Sequence, residues 1–244
     1  MHRFFCTVPE ISGDKIIINN REQIHHLKDV LRAKPGEEVM LFDCSGNEYI
    51  TELEKLSDTS LLFKIKGKHI YRSVKKYLLT IACAIPKKSK MDDIIDKLTQ
   101  LGVDRIIPLK TERVIIKLDR HKEILRHERW KKIALAASQQ SQRHVLPVIE
   151  QIKDIREVLS ACKDVDLKLM PTLSGERNTL KDVLKSAKPA SVLVFIGPEG
   201  DFTDEEVALA RKSGCIPVTL GDLVLRVETA AVCVASFIGL YENS

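Results

Sequence analysis

Two glycine-bearing stretches near the end of the chain hold the residue types best suited to chemistry. The first, Val192-Leu-Val-Phe-Ile-Gly-Pro-Glu-Gly-Asp201, is an apolar run that opens into an acidic turn. The second, Val218-Thr-Leu-Gly-Asp-Leu-Val-Leu-Arg-Val-Glu-Thr-Ala230, repeats the pattern and sets Arg226 and Glu228 among Leu225, Val227 and Ala230. A strand that ends in glycine and feeds a helix is how an α/β protein builds a ligand crevice at the carboxyl ends of its strands. The first turn is not a phosphate loop: it lacks a Lys-Ser/Thr pair and G-x-G-x-x-G spacing, and Glu199 would repel phosphate. An acid there suits a cationic or hydroxyl-bearing ligand, although a plain strand-to-helix connection has the same outline. Gly197 and Gly200 permit close backbone approach, Pro198 stiffens the turn, and Thr203 with Glu206 reads as a capping box that starts a helix. Arg226 and Glu228 are costly to bury without a purpose, which is either ligand chemistry or an internal ion pair.

The elements that must position these turns follow from the hydrophobic pattern. From Leu78 onward, strand and helix signals alternate: strands at 78–85, 105–109, 166–170, 192–196 and 216–220, and helices at 91–101, 123–140, 180–186, 204–213 and 229–241. Gly102 caps the first of these helices, and Ile124, Ile133, Leu135 and Ala137 form the expected inward stripe of the second. Such a βαβ succession calls for a parallel sheet covered by helices. Residues 1–70 differ, with short strands at 15–18, 38–42, 48–53 and 61–65 and one helix over 22–32, a pattern of a small β-barrel. In that helix His25 and His26 project about 100° apart, so they cannot form an i, i+4 metal pair. Arg32 ends the helix, where it complements the helix dipole or contacts phosphate. The polar, basic stretch 71–77 separates the two patterns, giving domains over 1–72 and 73–244.

Composition narrows the function classes. With 244 residues, 44% hydrophobic and 30% charged, the chain can bury a substantial core. No run approaches membrane-spanning length and no export signal opens the chain, which places it in the cytoplasm, with no membrane partner. The six cysteines are scattered without a C-x-x-C pair, which argues against a disulfide framework or a metal site. The net charge of +5 is uneven: residues 1–74 are neutral, 75–143 carry 17 basic against 8 acidic residues, and 144–244 carry 11 against 15. A basic block of that size is either a solvated helical face or the footprint of a polyanion.

Gly197-Pro-Glu-Gly, Leu220-Gly and Leu225-Arg-x-Glu-Thr-Ala230 resemble the signature of SPOUT methyltransferases, and more narrowly that of the RsmE family of bacterial 16S ribosomal RNA uracil-N3 methyltransferases. The resemblance runs over nearly the whole chain. Arg3-Phe-Phe and His25-His-Leu-x-x-Val-Leu-Arg32 are similar to that family's PUA-like barrel, and Lys97-Leu-x-x-Leu-Gly-Val103, Thr111-Glu-Arg113, Gln140-Ser-x-Arg143 and Leu169-Met-Pro171 follow in the family's order. There are departures: Asp201 stands at a customary third glycine, Gln100 and Ala136 at customary glutamates, Asp222-Leu223 at a common Pro-Arg, and no histidine precedes Pro171.

The resemblance implies a PUA-like β-barrel followed by an α/β domain with a parallel sheet and a deep C-terminal trefoil knot, a homodimer, and S-adenosylmethionine in the knot crevice. It implies cofactor contacts at Leu169, Met170, Pro171, Ile196, Gly197, Glu199, Gly200, Leu220, Gly221 and Leu225. Methylating uracil N3 needs alignment, stabilisation of the developing anion and a route for the proton. Arg226 is the expected anion stabiliser, with Glu228 orienting it or accepting the proton. Arg3, Arg32, Lys87, Lys88, Lys90, Arg113 and Arg143 are the expected contacts to 16S rRNA or the small ribosomal subunit. The alternatives are another SPOUT reaction, such as ribose 2′-O-methylation, and a non-catalytic RNA-binding assembly factor.

Overall fold

The structure is a computed structural model and describes residues 2–6, 10–43, 46–70, 77–86, 90–113, 119–173 and 175–242. The expected boundary at 72/73 and the candidate RNA contacts Lys87 and Lys88 lie outside these residues. Internal contacts divide the chain into one unit of Met1–Val74 with Ser138–Leu146 and a second of Lys75–Ala137 with Pro147–Ser244.

The first unit is built on a six-stranded sheet. Its strands are β1 (His2–Phe5), β2 (Ile11–Ser12), β3 (Lys15–Ile18), β4 (Glu38–Phe42), β5 (Asn47–Leu56) and β6 (Leu61–Ile70), in the order β1-β4-β5-β6-β3-β2. β1 runs parallel to β4 and the other neighbours are antiparallel. Period-2 alternation in β5 sends Tyr49, Thr51 and Leu53 to one face, and Ile16, Ile18, Leu41, Leu53 and Phe63 meet in a core capped by Ile24 and Leu27. The helix expected over 22–32 is interrupted. α1 (Arg21–His25) starts on an Asn20 cap, then a π-helical turn covers His26–Val30, with the Leu31 N–H donating to the His26 carbonyl five residues back. Arg32 then takes a left-handed φ of 53°, and the Ala33 N–H closes the end on the Leu27 carbonyl.

The second unit is a parallel sheet with helices on both faces. Along the chain it contains β7 (Leu78–Ala84), α2 (Lys90–Gln100), β8 (Arg105–Lys110), α3 (Arg120–Gln140), β9 (Val148–Ile149), β10 (Lys153–Asp154), α4 (Ile155–Ala161), β11 (Leu167–Pro171), β12 (Asn178–Thr179), α5 (Leu180–Ser186), β13 (Ser191–Ile196), α6 (Asp204–Lys212), β14 (Cys215–Thr219) and α7 (Val227–Glu242), the last three residues of α3 grouping with the first unit. The strand order is β10-β8-β7-β13-β11-β14-β12, with β9 also on β8, and every pairing is parallel. Burial on both faces explains the near-continuous apolar strands. Leu79, Ile81 and Cys83 of β7 face a core with Ile94 and Leu98 of α2 and Ala231, Val234 and Ile238 of α7. Ala82, Ile107, Met170 and Phe195 face the opposite core with Val158 of α4 and Ala210 of α6.

Gly102 ends α2 as expected, at φ 79°, with the Val103 N–H donating to the Leu98 carbonyl. In α3 the inward stripe is His127, Trp130, Ala134 and Ala137; of the expected residues Ala137 is buried and Ile133 packs against the core, Leu135 is half-buried and Ile124 is exposed. The reason is phase: Trp130 fixes the buried face, and Ile124, six residues earlier, points well away from it. The strands β9, β10 and β12 and the helix α4 are additions to the expected set in this unit, as β1 and β2 are in the first. Around β14 the chain makes a crossing. Pro171 of β11 and Asn178 of β12 both pair with Val218, one on each side, so the connection between them bridges β14 and the chain leaving Thr219 must pass that bridge. Among the described residues, no helix is long and apolar enough to cross a membrane.

Candidate functional site

At the carboxyl ends of β11, β13 and β14 the two glycine turns wall a single cleft of about 590 Å³, including its open mouth. Pro171, Thr172 and Leu173 form one side, Ile196 to Glu199 with Asp201 another, and Thr219 to Gly221, Leu223 to Leu225, Val227 and Ala230 the third. Most of the lining is apolar, with Glu199 and Asp201 adding negative charge on one wall and Arg177 at the rim.

The β13–α6 turn is tightly specified. The Asp201 N–H donates to the Pro198 carbonyl, and the Thr203–Glu206 capping box is fully formed. A Cβ on Gly197 would sit 3.0 Å from the Phe202 ring, so glycine there reflects close packing. Asp201 occupies φ 61°, which explains why glycine suits the position and how aspartate, tolerant of left-handed backbone, can replace it. Its carboxylate also accepts from the Phe202 N–H at 2.9 Å and from the Leu173 N–H at 2.8 Å, tying this turn to the exit of β11. From the other side, the Arg113 guanidinium donates to the carbonyls of Gly200, Asp201 (3.5 Å) and Phe202 (3.4 Å).

The β14–α7 segment is looser. Gly221 adopts φ 112°, its N–H donates to the Thr219 hydroxyl at 3.2 Å, and Leu223 and Val224 are 79% and 73% exposed. Arg226 is exposed and its side chain has no hydrogen bond or ion pair among the described residues. Glu228 lies in the first turn of α7 and accepts from Lys90 Nζ at 2.6 Å, not from Arg226. The expected Arg226–Glu228 pair is therefore replaced. The helix begins at Val227, which points residues 226 and 228 in nearly opposite directions. Burial pushes the Glu228 carboxyl up, but the Lys90 hydrogen bond and charge, its own backbone N–H and Arg226 outweigh it and hold it below the ordinary carboxylate range. Glu228 is thus a stable anion and a poor proton acceptor. Beneath the cleft, burial and then the charges of Glu228 and Glu199 push the Cys83 thiol far up, so it cannot serve as a thiolate nucleophile.

Of the expected cofactor contacts, Pro171, Ile196, Gly197, Glu199, Leu220, Gly221 and Leu225 line the cleft. Leu169 and Met170 send their side chains into the two opposite cores, and Gly200 lies beside the Arg113 stem, 3.5 Å from its Cδ to an added Cβ. The expected RNA contacts are scattered. Arg3 is largely buried, pairing with Glu48 at 2.7 Å, donating to the Arg143 carbonyl at 3.3 Å and lying 4.3 Å over the Phe42 ring. Arg143 donates to the Val145 carbonyl at 2.6 Å, while Arg32 is exposed. Lys90 is claimed by Glu228 and Arg113 by the carbonyls of Gly200, Asp201 and Phe202, partners that their charge alone could not reveal. Leu173, Asp201 and the apolar Leu223-Val224 lip are cleft residues that motif reasoning passed over; the exposed apolar pair in a loop was the available signal. Among the described residues no cluster of His, Cys, Asp and Glu could hold a metal ion.

Comparisons with known proteins agree with this architecture. Residues 74–239 match an RNA methyltransferase domain and residues 18–66 an RNA methyltransferase PUA domain. An N-terminal PUA β domain joined to a parallel α/β domain of SPOUT type defines a two-domain RNA methyltransferase. Ribosomal RNA small subunit methyltransferase E of Bacillus subtilis is 30% identical, covering 98% of this chain and 96% of its own, and that of Mesomycoplasma hyopneumoniae is 32% identical, covering 95% and 96%. Among solved structures, a Legionella pneumophila protein in complex with the bound cofactor SAM superposes with a TM-score of 0.88 at 29% identity, covering 98% of this chain and 97% of its own. Ribosomal RNA small subunit methyltransferase E of Neisseria gonorrhoeae, bound to S-adenosyl methionine, does so with 0.85 at 27%, covering 99% and 98%. The chain belongs to the RsmE family of RNA methyltransferases.

Proposed function

We propose that the chain methylates N3 of a uracil in 16S rRNA of the small ribosomal subunit, using S-adenosylmethionine held in the cleft between the two glycine turns. The observation that carries this reading is the convergence of the Gly197-Pro-Glu-Gly turn and the 219–225 segment on one cleft at three strand exits, with Arg226 beside it. The cleft fits the cofactor by its chemistry. Leu220 and Leu225 offer apolar walls, and Glu199 and Asp201 favour a cation. When bound, S-adenosylmethionine supplies an electrophilic methyl group.

This chain's residues then divide the remaining work. Leu223 and Val224 form a lip able to exclude water, which strengthens every charge interaction inside. Arg226, whose side chain has no hydrogen bond or ion pair among the described residues, is available to stabilise through its planar fork the uracil anion left when the N3 proton passes to solvent. Glu228 acts by holding Lys90 and the first turn of α7, and so sets where Arg226 projects. Arg32 and the basic stretch with Lys87 and Lys88 supply phosphate contacts; N3 is on the pairing edge, so the target base is unpaired or flipped. The outer face of α7, where Cys233, Phe237 and Leu240 are exposed, is the proposed homodimer surface. Sedimentation should show a dimer that Leu240→Glu converts to monomer.

The test is genetic and chemical together. Small-subunit rRNA from a strain lacking this protein should lose one 3-methyluridine, restored by the wild-type chain but not by Arg226→Ala. An unchanged 3-methyluridine content would end the proposal.

A further inference from the structure

We infer that Arg113 is a positioning residue for the cofactor turn, bracing it between the exits of β8 and β11, and is not an RNA contact. This rests on the cleft being the S-adenosylmethionine site. Arg113 lies three residues beyond Lys110, the last residue of β8, yet its guanidinium reaches the three successive carbonyls of Gly200, Asp201 and Phe202. Those carbonyls belong to the turn that forms one cleft wall, in the stretch just before the Thr203 cap of α6. All three contacts are made by Nη1, whose two N–H donors face the clustered carbonyl dipoles of Gly200, Asp201 and Phe202.

Four further contacts make this a brace. The adjacent Glu112 N–H donates to Glu206 Oε1 at 3.1 Å, and Glu206 is itself buried and completes the capping box through the Thr203 N–H at 2.9 Å. The Arg113 stem lies against Gly200, and on the opposite side Asp201 receives the Leu173 N–H. The exits of β8, β13 and β11 are thus joined through one turn whose central residue, Asp201, is held in left-handed backbone. Preorganising such a turn removes an ordering penalty from ligand binding and leaves the chemical step untouched.

The experiment measures S-adenosylmethionine affinity by calorimetry, the KM for S-adenosylmethionine against kcat, and the salt dependence of RNA binding, for wild type, Arg113→Ala and Arg113→Lys. The expected result is a roughly tenfold weaker cofactor affinity for Arg113→Ala, carried in KM with kcat within about twofold, and an intermediate value for Arg113→Lys. The salt slope should match wild type, because no phosphate contact has been removed. Wild-type cofactor affinity in both variants, or a slope reduced by about one, would overturn the inference in favour of a phosphate contact. Should Arg113→Ala fail to fold, Arg113→Lys decides alone: the inference requires weakened cofactor affinity with an unchanged slope. Failure of the wild type to bind S-adenosylmethionine would instead remove the proposed function beneath it.

Discussion

The two turns that wall the cleft are held in contrasting ways. The β13–α6 turn is bound by the Arg113 guanidinium, the Asp201 carboxylate and a complete capping box, and the Phe202 ring packs closely over Gly197. The β14–α7 segment is anchored near its ends, by Thr219 with Gly221 and by Glu228 with Lys90, and presents exposed Leu223 and Val224 between them. The difference assigns labour: the braced turn is suited to holding a small ligand in a fixed pose, and the loosely held one to meeting a large, variable partner that covers its apolar lip.

Substitutions on each side should break that contrast differently. Arg226→Ala carries the largest expected effect, a loss of about 10²–10³-fold in kcat with cofactor affinity near wild type, because it removes charge stabilisation at the reacting base only. Radiolabel transfer combined with calorimetry separates the two quantities. On the braced side, Gly197→Ala forces a Cβ to 3.0 Å from the Phe202 ring, and the required shift should weaken cofactor binding by about tenfold and lower thermal stability by about 1–3 kcal/mol. On the loose side, Leu223→Ser should leave stability within about 0.5 kcal/mol, since the side chain is exposed, while kcat/KM for RNA falls several-fold. The smallest effect is electrostatic. Glu228 has a lowered folded-state pKa, so its contribution to stability is present above its ordinary value of 4.5 and is lost as pH falls through the lowered value. The Tm gap between wild type and Glu228→Gln should therefore be full at neutral pH and close on acidification below about 4.5. A gap that widened with acid would show that the Lys90 contact does not hold the carboxylate.

Much of this arrangement was legible in the residues themselves. The strand-to-helix alternation after Leu78, the Gly102 cap and the Thr203–Glu206 box are local signals, and local hydrogen bonding enforces them. The same rule would have found α4, whose Asp154 and Glu157 form a second capping box before Ile155, Val158 and Leu159. The phase of α3 was not legible, because its charged pattern leaves the face to be chosen by Trp130 and by His127, which hydrogen-bonds the Ile149 carbonyl. The partners of the cations were least accessible. Lys90 meets Glu228 across 138 positions and Arg113 meets Gly200 across 87, pairings that only the sheet order brings together. Charge marks a cation as available for RNA; topology decides whether another part of the chain claims it first. Arg3, drawn onto Glu48 and over Phe42, makes the same point in the N-terminal unit.

The central claim, methyl transfer to uracil N3, is tested most directly by incubating the purified protein with methyl-labelled S-adenosylmethionine and unmodified small ribosomal subunits, then digesting the rRNA to nucleosides for mass spectrometry. The account predicts label in 3-methyluridine alone, abolished by Arg226→Ala. Label in a 2′-O-methylated nucleoside, or cofactor binding with no label in RNA, would contradict it.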